Sequence, residues 1–529
     1  MKKHLLLYLI IAAIAPLFGQ TKKTDLSQYL ERKGQTIKVE QLAPVEAFSS
    51  VPKSKDGVEL QYQYKSAPGS MLNQRHISIA MSESTGIPTF IEVSTFGTTS
   101  RTSNQFESIV YEVLEEVIGA HLDEEDVEAV FKPILFETDE LQIQHIKFQQ
   151  TCSGIPVFGA EYYAHLYPHG KVTINGRIHS LATKKEADPS LDLDEAVAIV
   201  KYHLQGQGTN LLDLDQKWIE LIERPQYLGE LTWFPHPADN HLVLCHHISA
   251  IPNLGEKWEY FIDAESGEIV NRYSGKSQIY GFLPGEVLES MNSSEDEFDS
   301  VPEALSMNGP VTANAIDIFG VQRTINTYQW GNQFYLLDGS RSMFVNGSVP
   351  NNPQGVILTM DCNGTAPFGF NFNPKEVVSA NNTWSNRNAV STHYHTMLTY
   401  DFFKNTLNRE SYDNRGTNLI SFFNMPDELG QPFDNAFWIQ RFAFFGAGRT
   451  AFIRPLSAAL DVVAHEFGHG LVQETAALVY QDEPGALNEM YADLCGVLVN
   501  GNNWKMATSV VNPNFFPTGA MRDLSNPAN

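Results

Sequence analysis

Cysteine is scarce in this chain, with four in 529 residues, too few for a scaffold built on disulfides. Positive charge is also short. Lys and Arg number 36 against 62 Asp and Glu, a formal charge of −26. That balance excludes nucleic-acid binders and anionic-membrane binders, which need a positive face, so no nucleic-acid partner is expected. Beyond the N-terminus no apolar run is long enough to span a bilayer, and no internal repeat or low-complexity tract occurs. Charged residues make up 19% and hydrophobic residues 42%, so the chain is not disordered as a whole. At ~100–200 residues per domain, it holds roughly three to four domains.

What is present begins with Lys2, Lys3 and His4, followed by an apolar run from Leu5 to Phe18. A basic stretch before a short apolar core is an export leader, with a cleavage point at Gly19. Residues 1–19 are therefore expected to be a signal peptide, and the protein to be secreted without a stable membrane anchor. Export permits disulfides, and a Cys152–Cys245 bridge is open to the chain. Cys495 sits in an apolar helical pattern and reads as a small core residue.

The predicted fold class is α+β. Residues 20–275 read as mixed α+β: a helix over 108–119, strands over 141–149, 161–166 and 171–174, and a helix over 193–204 capped by Asp192 or Asp194. Asn175-Gly176 predicts a hairpin turn. Residues 258–262 and 268–270 flank a turn. From Pro284 to Pro310 seven acidic residues occur with no Lys or Arg, which reads as a solvated linker and as a candidate place for maturation cleavage. Residues 311–458 suggest strands and long loops around a helix over 389–405. Two further helices are predicted over 459–477 and 485–500, and the chemistry concentrates there.

His465-Glu466-Phe467-Gly468-His469 is an H-E-x-x-H motif. Four residues at about 100° each return the two imidazoles to within about 40° on one helix face. Two such nitrogens suit Zn²⁺, which takes tetrahedral N/O/S ligands and keeps one position open. Glu466 lies about 100° around the helix, placed to take a proton from water. Glu489 comes twenty residues after His469 on the next predicted helix, where an antiparallel partner brings it in as third ligand. Asp493 shares its face and can accept a hydrogen bond from a ligating imidazole.

These residues resemble the thermolysin family of zinc metalloendopeptidases. The likeness extends to Pro455–Ala464, Leu478–Glu489, Asn435-Ala-Phe-Trp438, Ala389–Tyr394, Thr399–Asn405, Arg409–Tyr412 and Arg522–Pro527. The resemblance implies a fungalysin/thermolysin-type propeptide over 20–183, a PepSY-like propeptide over 184–275 and a linker or maturation region over 276–310. It further implies a thermolysin-like (zincin) catalytic domain, with a β-rich N-terminal lobe over 311–458 and the start of a helical C-terminal lobe over 459–529. It implies Zn²⁺ on His465, His469 and Glu489, Glu466 as general base, and Tyr480 as oxyanion donor. It implies protein or peptide substrates held by Asn435 and Ala436, Asp493 orienting a ligating histidine, and the propeptide as folding aid and intramolecular inhibitor. The family's paired Ca²⁺ site retains Asp461, but its other positions fall on Asn500, Asn503, Lys505 and Thr508, which lack carboxylates. That calcium pair is expected to be absent, with Lys505 neutralising Asp461. No histidine follows His469, so the family's second catalytic histidine is not found and the sequence is expected to be truncated. The alternative is an incomplete or binding protein that holds zinc without turnover.

Overall fold

The computed structural model describes residues 60–64, 77–82, 86–94, 102–119, 122, 126–139, 141–181, 187–278, 308–501 and 504–526. The expected signal peptide and all but the ends of the expected linker lie outside the described residues. The chain divides into two compact units: residues 1–196, 229–247 and 261–271, and residues 197–228, 248–260 and 272–529.

In the first unit, strands β1 (Leu60–Tyr64), β2 (Ile77–Met81) and β3 (Pro88–Val93) precede helix α1 (Ser103–Ile118). The short α2 (Val127–Val130) then leads into β4 (Phe131–Thr138), β5 (Gln144–Cys152), β6 (Ile155–Leu166) and β7 (Val172–Arg177). The sheet runs β1-β2-β3-β7-β6, with β5 also on β6 and β4 on β5. Helix α1 opens five residues before the expected Ser108 because Thr102 and Gln105 cap it reciprocally: Gln105 N donates to Thr102 Oγ1 at 3.3 Å and Thr102 N to Gln105 Oε1 at 3.0 Å. Its apolar stripe, including Phe106, Val110, Val113 and Val117, joins Ile91, Phe148 and Val172 in one core.

Asn175-Gly176 is not a hairpin turn. Strand β7 continues through it, pairing Tyr162 with Gly176 and Glu161 with Arg177. Gly176 serves close approach instead: at φ +148, a Cβ would lie 2.0 Å from Glu161 O. Helix α3 (Leu193–Gly206) starts at a second reciprocal cap. Of the two candidates it uses Asp192, whose Oδ1 accepts from Glu195 N at 2.9 Å.

Helix α4 (Gln216–Ile222) and strands β8 (Tyr227–Pro235), β9 (Leu242–Asn253), β10 (Glu256–Asp263) and β11 (Ile269–Ser274) follow. The second unit then contains β12 (Ser277–Gln278), β13 (Gly309–Ile316), β14 (Gln322–Trp330), β15 (Gln333–Tyr335), β16 (Leu337–Asp338), β17 (Ile357–Asp361), β18 (Lys375–Glu376) and β19 (Val378–Ser379). Helix α5 (Arg387–Asn405), β20 (Leu419–Met425), β21 (Ala436–Ile439), β22 (Phe442–Gly446), helices α6 (Leu460–Gln473) and α7 (Asp482–Asn500), β23 (Lys505–Met506) and β24 (Arg522–Asp523) complete it. One sheet runs β12-β21-β22-β20-β17-β16, and a second β13-β14-β15-β19. Strand β20 pairs in parallel with β17 and β22, which explains why Leu419-Ile-Ser-Phe-Phe423 is nearly continuous in apolar residues: both faces are buried. On one side Met397, Tyr400 and Phe403 of α5 share a core with Val462, Val463 and Phe467 of α6. A second core joins Trp218 of α4 to Phe422, Phe442 and Phe444.

Helices α6 and α7 pack antiparallel, with Asp461 beside Asn500, His465 beside Asp493 and His469 beside Asn488. Their close approach depends on Gly468, where a Cβ would lie 3.0 Å from both Ala492 Cα and Cys495 Cβ. Helix α6 stops at Gln473, short of the expected 477, where Ala477 takes φ +47. Helix α7 ends at Asn500 and is capped by Gly501, φ +70, in the left-handed conformation that glycine allows. All four cysteines are free and buried, so the Cys152–Cys245 bridge is not formed. Among the described residues no helix is long and apolar enough to cross a membrane.

Candidate metal centre

The antiparallel pairing of α6 and α7 brings His465, His469 and Glu489 together. His465 Nε2 lies 3.0 Å from His469 Nε2 and 3.4 Å from Glu489 Oε2, and His469 Nε2 lies 3.5 Å from Glu489 Oε1. A tetrahedral ion with ligands at 2.0–2.1 Å separates them by about 3.4 Å. The three donors therefore fit one zinc ion, with a fourth position left over.

The hydrogen bonds behind the imidazoles fix which nitrogen faces inward. His465 Nδ1 is 2.9 Å from Asp493 Oδ1, and His469 Nδ1 is 2.7 Å from Asn488 Oδ1. With His469 Nδ1 hydrogen-bonded to Asn488 and His465 Nδ1 facing the Asp493 carboxylate, both Nε2 atoms point at the same spot. Two lone pairs 3.0 Å apart need a positive charge between them. Burial opposes charge on His465, but the carboxylates of Asp493 and Glu489 outweigh it and push its pKa up to about 9. Burial and the neighbouring His465 then push His469 down to about 4. Against the cost of burial, His465 holds Glu489 and Asp493 down at about 2.

Glu466 is fully buried, and neither of its carboxylate oxygens has a hydrogen-bond partner among the described residues. Burial pushes it up to about 8. Such a group is held ready to accept or give a proton. Tyr480 lies in the loop before α7 and donates its hydroxyl to Glu489 Oε1, at the rim of the same cluster.

Asn488 and Arg522 are site residues that the sequence reading did not assign. Arg522 grips Asp493 with two bonds, Nε to Oδ2 and Nη2 to Oδ1, each 2.6 Å. Asn488 had a local signal, its place next to Glu489. Arg522 stood out only as the first residue of the family-like stretch Arg522–Pro527, and nothing local tied it to Asp493, 29 residues away.

Asn435 and Ala436 sit at the start of β21. Asn435 Oδ1 accepts from Ala436 N at 2.9 Å, and Asn435 O accepts from Gly446 N at 2.9 Å. The preceding Asp434 accepts from the backbone N–H groups of Arg449, Thr450, Ala451 and Phe452, which fixes the entry to the strand. Trp438 ties β21 to the metal helix: its ring lies 5.6 Å from Phe467, and its Nε1 donates to Gln473 Oε1 at 3.2 Å. The other edge of β21 is covered by β12, antiparallel, with Ser277 opposite Trp438 and Gln278 opposite Phe437.

Asp461 is buried. Asn500 Nδ2 donates to it at 3.1 Å, and burial raises its carboxyl to about 6. It belongs to no cluster of three metal-ligating side chains among the described residues. Lys505, expected to neutralise it, instead places its Nζ 3.4 Å from Asp523 Oδ2, because β23 and β24 pair Lys505 with Asp523.

Three consecutive family descriptions match this chain. The fungalysin/thermolysin propeptide motif matches residues 131–174, the thermolysin metallopeptidase catalytic domain 312–473, and the thermolysin metallopeptidase alpha-helical domain 476–529. Bacillolysin of Brevibacillus brevis is 27% identical over 395 residues, which cover 74% of this chain and 63% of the relative. Neutral protease B of Bacillus subtilis is 24% identical over 383 residues, 72% of this chain and 62% of the relative. Neutral protease NprE of Bacillus pumilus is 38% identical over 143 residues, 27% of this chain and 45% of the relative. The chain thus spans less than two thirds of the length of each of these relatives.

Proposed function

The chain belongs to the thermolysin family of metallopeptidases, and on that premise we propose that it is the precursor of a secreted zinc-dependent endopeptidase. The observation that carries this reading is the set of three donors at tetrahedral spacing with the unpartnered carboxylate of Glu466 beside them. His465, His469 and Glu489 would hold Zn²⁺. Bound there, zinc polarises a carbonyl and lowers the pKa of water to about 7.

The chain's own residues do the rest. Positive charge at the three donors favours the ionised form of Glu466, which takes a proton from the attacking water and can pass it to the leaving amine. The Tyr480 hydroxyl can turn from Glu489 to donate to the oxyanion of the tetrahedral intermediate. Asp493, clamped by Arg522, and Asn488 keep the imidazoles in the tautomer that faces the ion. Asn435 and Ala436 would hold an extended peptide by strand addition to β21.

Residues 20–275 would be propeptide, as folding aid and inhibitor. Strand β12, in the first residues of the linker just past that propeptide, supports the inhibitory part, since its pairing with β21 occupies the edge to which a peptide would add. The N-terminal leader supports secretion. Calcium has no part in this reading of Asp461, whose neighbours offer amides rather than carboxylates.

The test is peptide hydrolysis and zinc content of the full chain beside Glu466→Gln. The expected result is cleavage in the parent, no cleavage in the variant, and zinc retained in both. Zinc without cleavage in the parent would favour the binding-protein alternative. Failure to bind zinc through His465 and His469 would refute the assignment of the centre.

A further inference from the structure

A second group of metal-ligating side chains lies far along the sequence from α6 and α7. His236, Asp239 and His241 surround the tip of the β8–β9 hairpin, and one ligand atom from each falls within 4.8 Å of the other two. The hairpin is closed by His236 N donating to His241 O at 2.8 Å, and Asn240 takes φ +61 to turn the chain. The two histidines are thus a cross-strand pair, with side chains on one face of the ladder. Their rings are 5.0 Å apart at 24°. Two imidazoles on one tetrahedral ion, with metal–nitrogen bonds of 2.0–2.1 Å, place their centroids about 5 Å apart.

The donor atoms already point inward. His236 Nδ1 faces the turn, where it accepts a long hydrogen bond from Ala238 N at 3.3 Å that an ion would displace. Asp239 Oδ1 lies 3.7 Å from that nitrogen and 2.5 Å from His241 Nδ1. An ion would lengthen the second distance towards ~3.4 Å, within reach of small rotations of exposed side chains. The backbone of the turn is closed by Asp239, whose Oδ1 accepts from His241 N at 3.3 Å. Beyond the backbone, His241 Nδ1 hydrogen-bonds Asp239 Oδ1 and His236 Nδ1 makes the long contact to Ala238, two contacts that a bound ion would replace.

We propose that His236, Asp239 and His241 form a second metal site, which takes a divalent transition ion of the Zn²⁺, Cu²⁺ or Ni²⁺ class with water completing its shell. Two imidazole nitrogens and one carboxylate suit these ions and disfavour Ca²⁺ and Mg²⁺, which want oxygen. All three ligands lie on one closed hairpin, so little ordering is needed on binding.

The experiment counts Zn²⁺ bound by equilibrium dialysis to the full chain carrying Glu466→Gln, which stops self-cleavage. His236→Ala/His241→Ala is added in one sample and His465→Ala/His469→Ala in another. Each pair should remove one equivalent and leave the other. Cu²⁺ bound to the parent should show nitrogen hyperfine splitting in its electron spin resonance spectrum that the hairpin variant diminishes. Asp239→Asn, with both imidazoles kept, should weaken the hairpin equivalent about 10-fold. If the hairpin pair can be removed with no loss of bound Zn²⁺, the proposal is wrong. A loss confined to the helix variant would leave the catalytic assignment intact and sink only this one.

Discussion

Replacing Gly468 by alanine should loosen zinc far more than it unfolds the protein. The new Cβ would sit 3.0 Å from Ala492 Cα, 3.0 Å from Cys495 Cβ and 3.4 Å from Ala492 O. Carbon atoms prefer ~3.5–4.0 Å, so α6 and α7 must separate locally by about 0.5–1 Å. Overpacking of this kind costs about 1–3 kcal/mol. Alanine returns about 0.8–1.0 kcal/mol through its better helix propensity, which leaves a net loss of roughly 0–2 kcal/mol. The metal centre is less forgiving. His465 and His469 are on one helix and Glu489 on the other, and zinc sites tolerate departures of only about 0.2 Å. Zinc affinity should fall about 10-fold or more, read by competition with a chromophoric chelator, while the thermal midpoint falls by only a few degrees. Gly470→Ala is the control. Its Cβ would meet Trp438 Cζ2 at 2.8 Å and Tyr412 Cδ2 at 3.2 Å, side chains of the β21 region and not of α7. It should destabilise without comparable loss of zinc. Unchanged zinc affinity in Gly468→Ala, or equal loss in both variants, would refute the argument.

Three further outcomes are expected. Arg522→Gln removes both 2.6 Å bonds to Asp493 and should weaken zinc about 10-fold with helix content kept, as measured by the same competition and circular dichroism. His393 and His395 are buried on α5, and burial holds both at about 4, whereas an unfolded histidine titrates near 6.5. Below about pH 6.5 the unfolded chain binds protons that the folded chain refuses, so stability is full above that pH and falls towards pH 4 by up to ~3 kcal/mol per histidine. Urea unfolding across this range should show the slope, and His393→Gln should reduce it; a flat profile for the parent would contradict the burial argument. Gln278→Pro should disrupt the β12–β21 pairing and raise peptide hydrolysis by the uncleaved precursor; equal activity of parent and variant would remove β12 from the inhibitory reading.

The parts legible in the sequence are those whose geometry is periodic. His465 and His469 share a face because four residues make about one turn, and the same arithmetic places Glu489 with Asp493. The α+β class follows from pattern alone. What the sequence hid depends on who lies opposite. Asn175-Gly176 has the composition of a turn, yet Glu161 and Tyr162 across the ladder hold it in a strand. The start of α1 was set by a polar cap, Thr102 with Gln105, outside the apolar repeat. Arg522 meets Asp493 only after the chain folds back, and His236, Asp239 and His241 converge through a hairpin whose offsets of 3 and 5 residues together fit no single helix or strand period.

The four buried thiols have a use as clocks. Cys152 and Cys245 belong to the first unit, Cys362 and Cys495 to the second. Burial raises the pKa of Cys245, Cys362 and Cys495, so in the native fold these sulfurs are shielded and scarcely ionised. A thiol reagent can reach them only when the surrounding structure opens. Because no disulfide ties them, each reports its own opening, and the order of labelling records which unit gives way first.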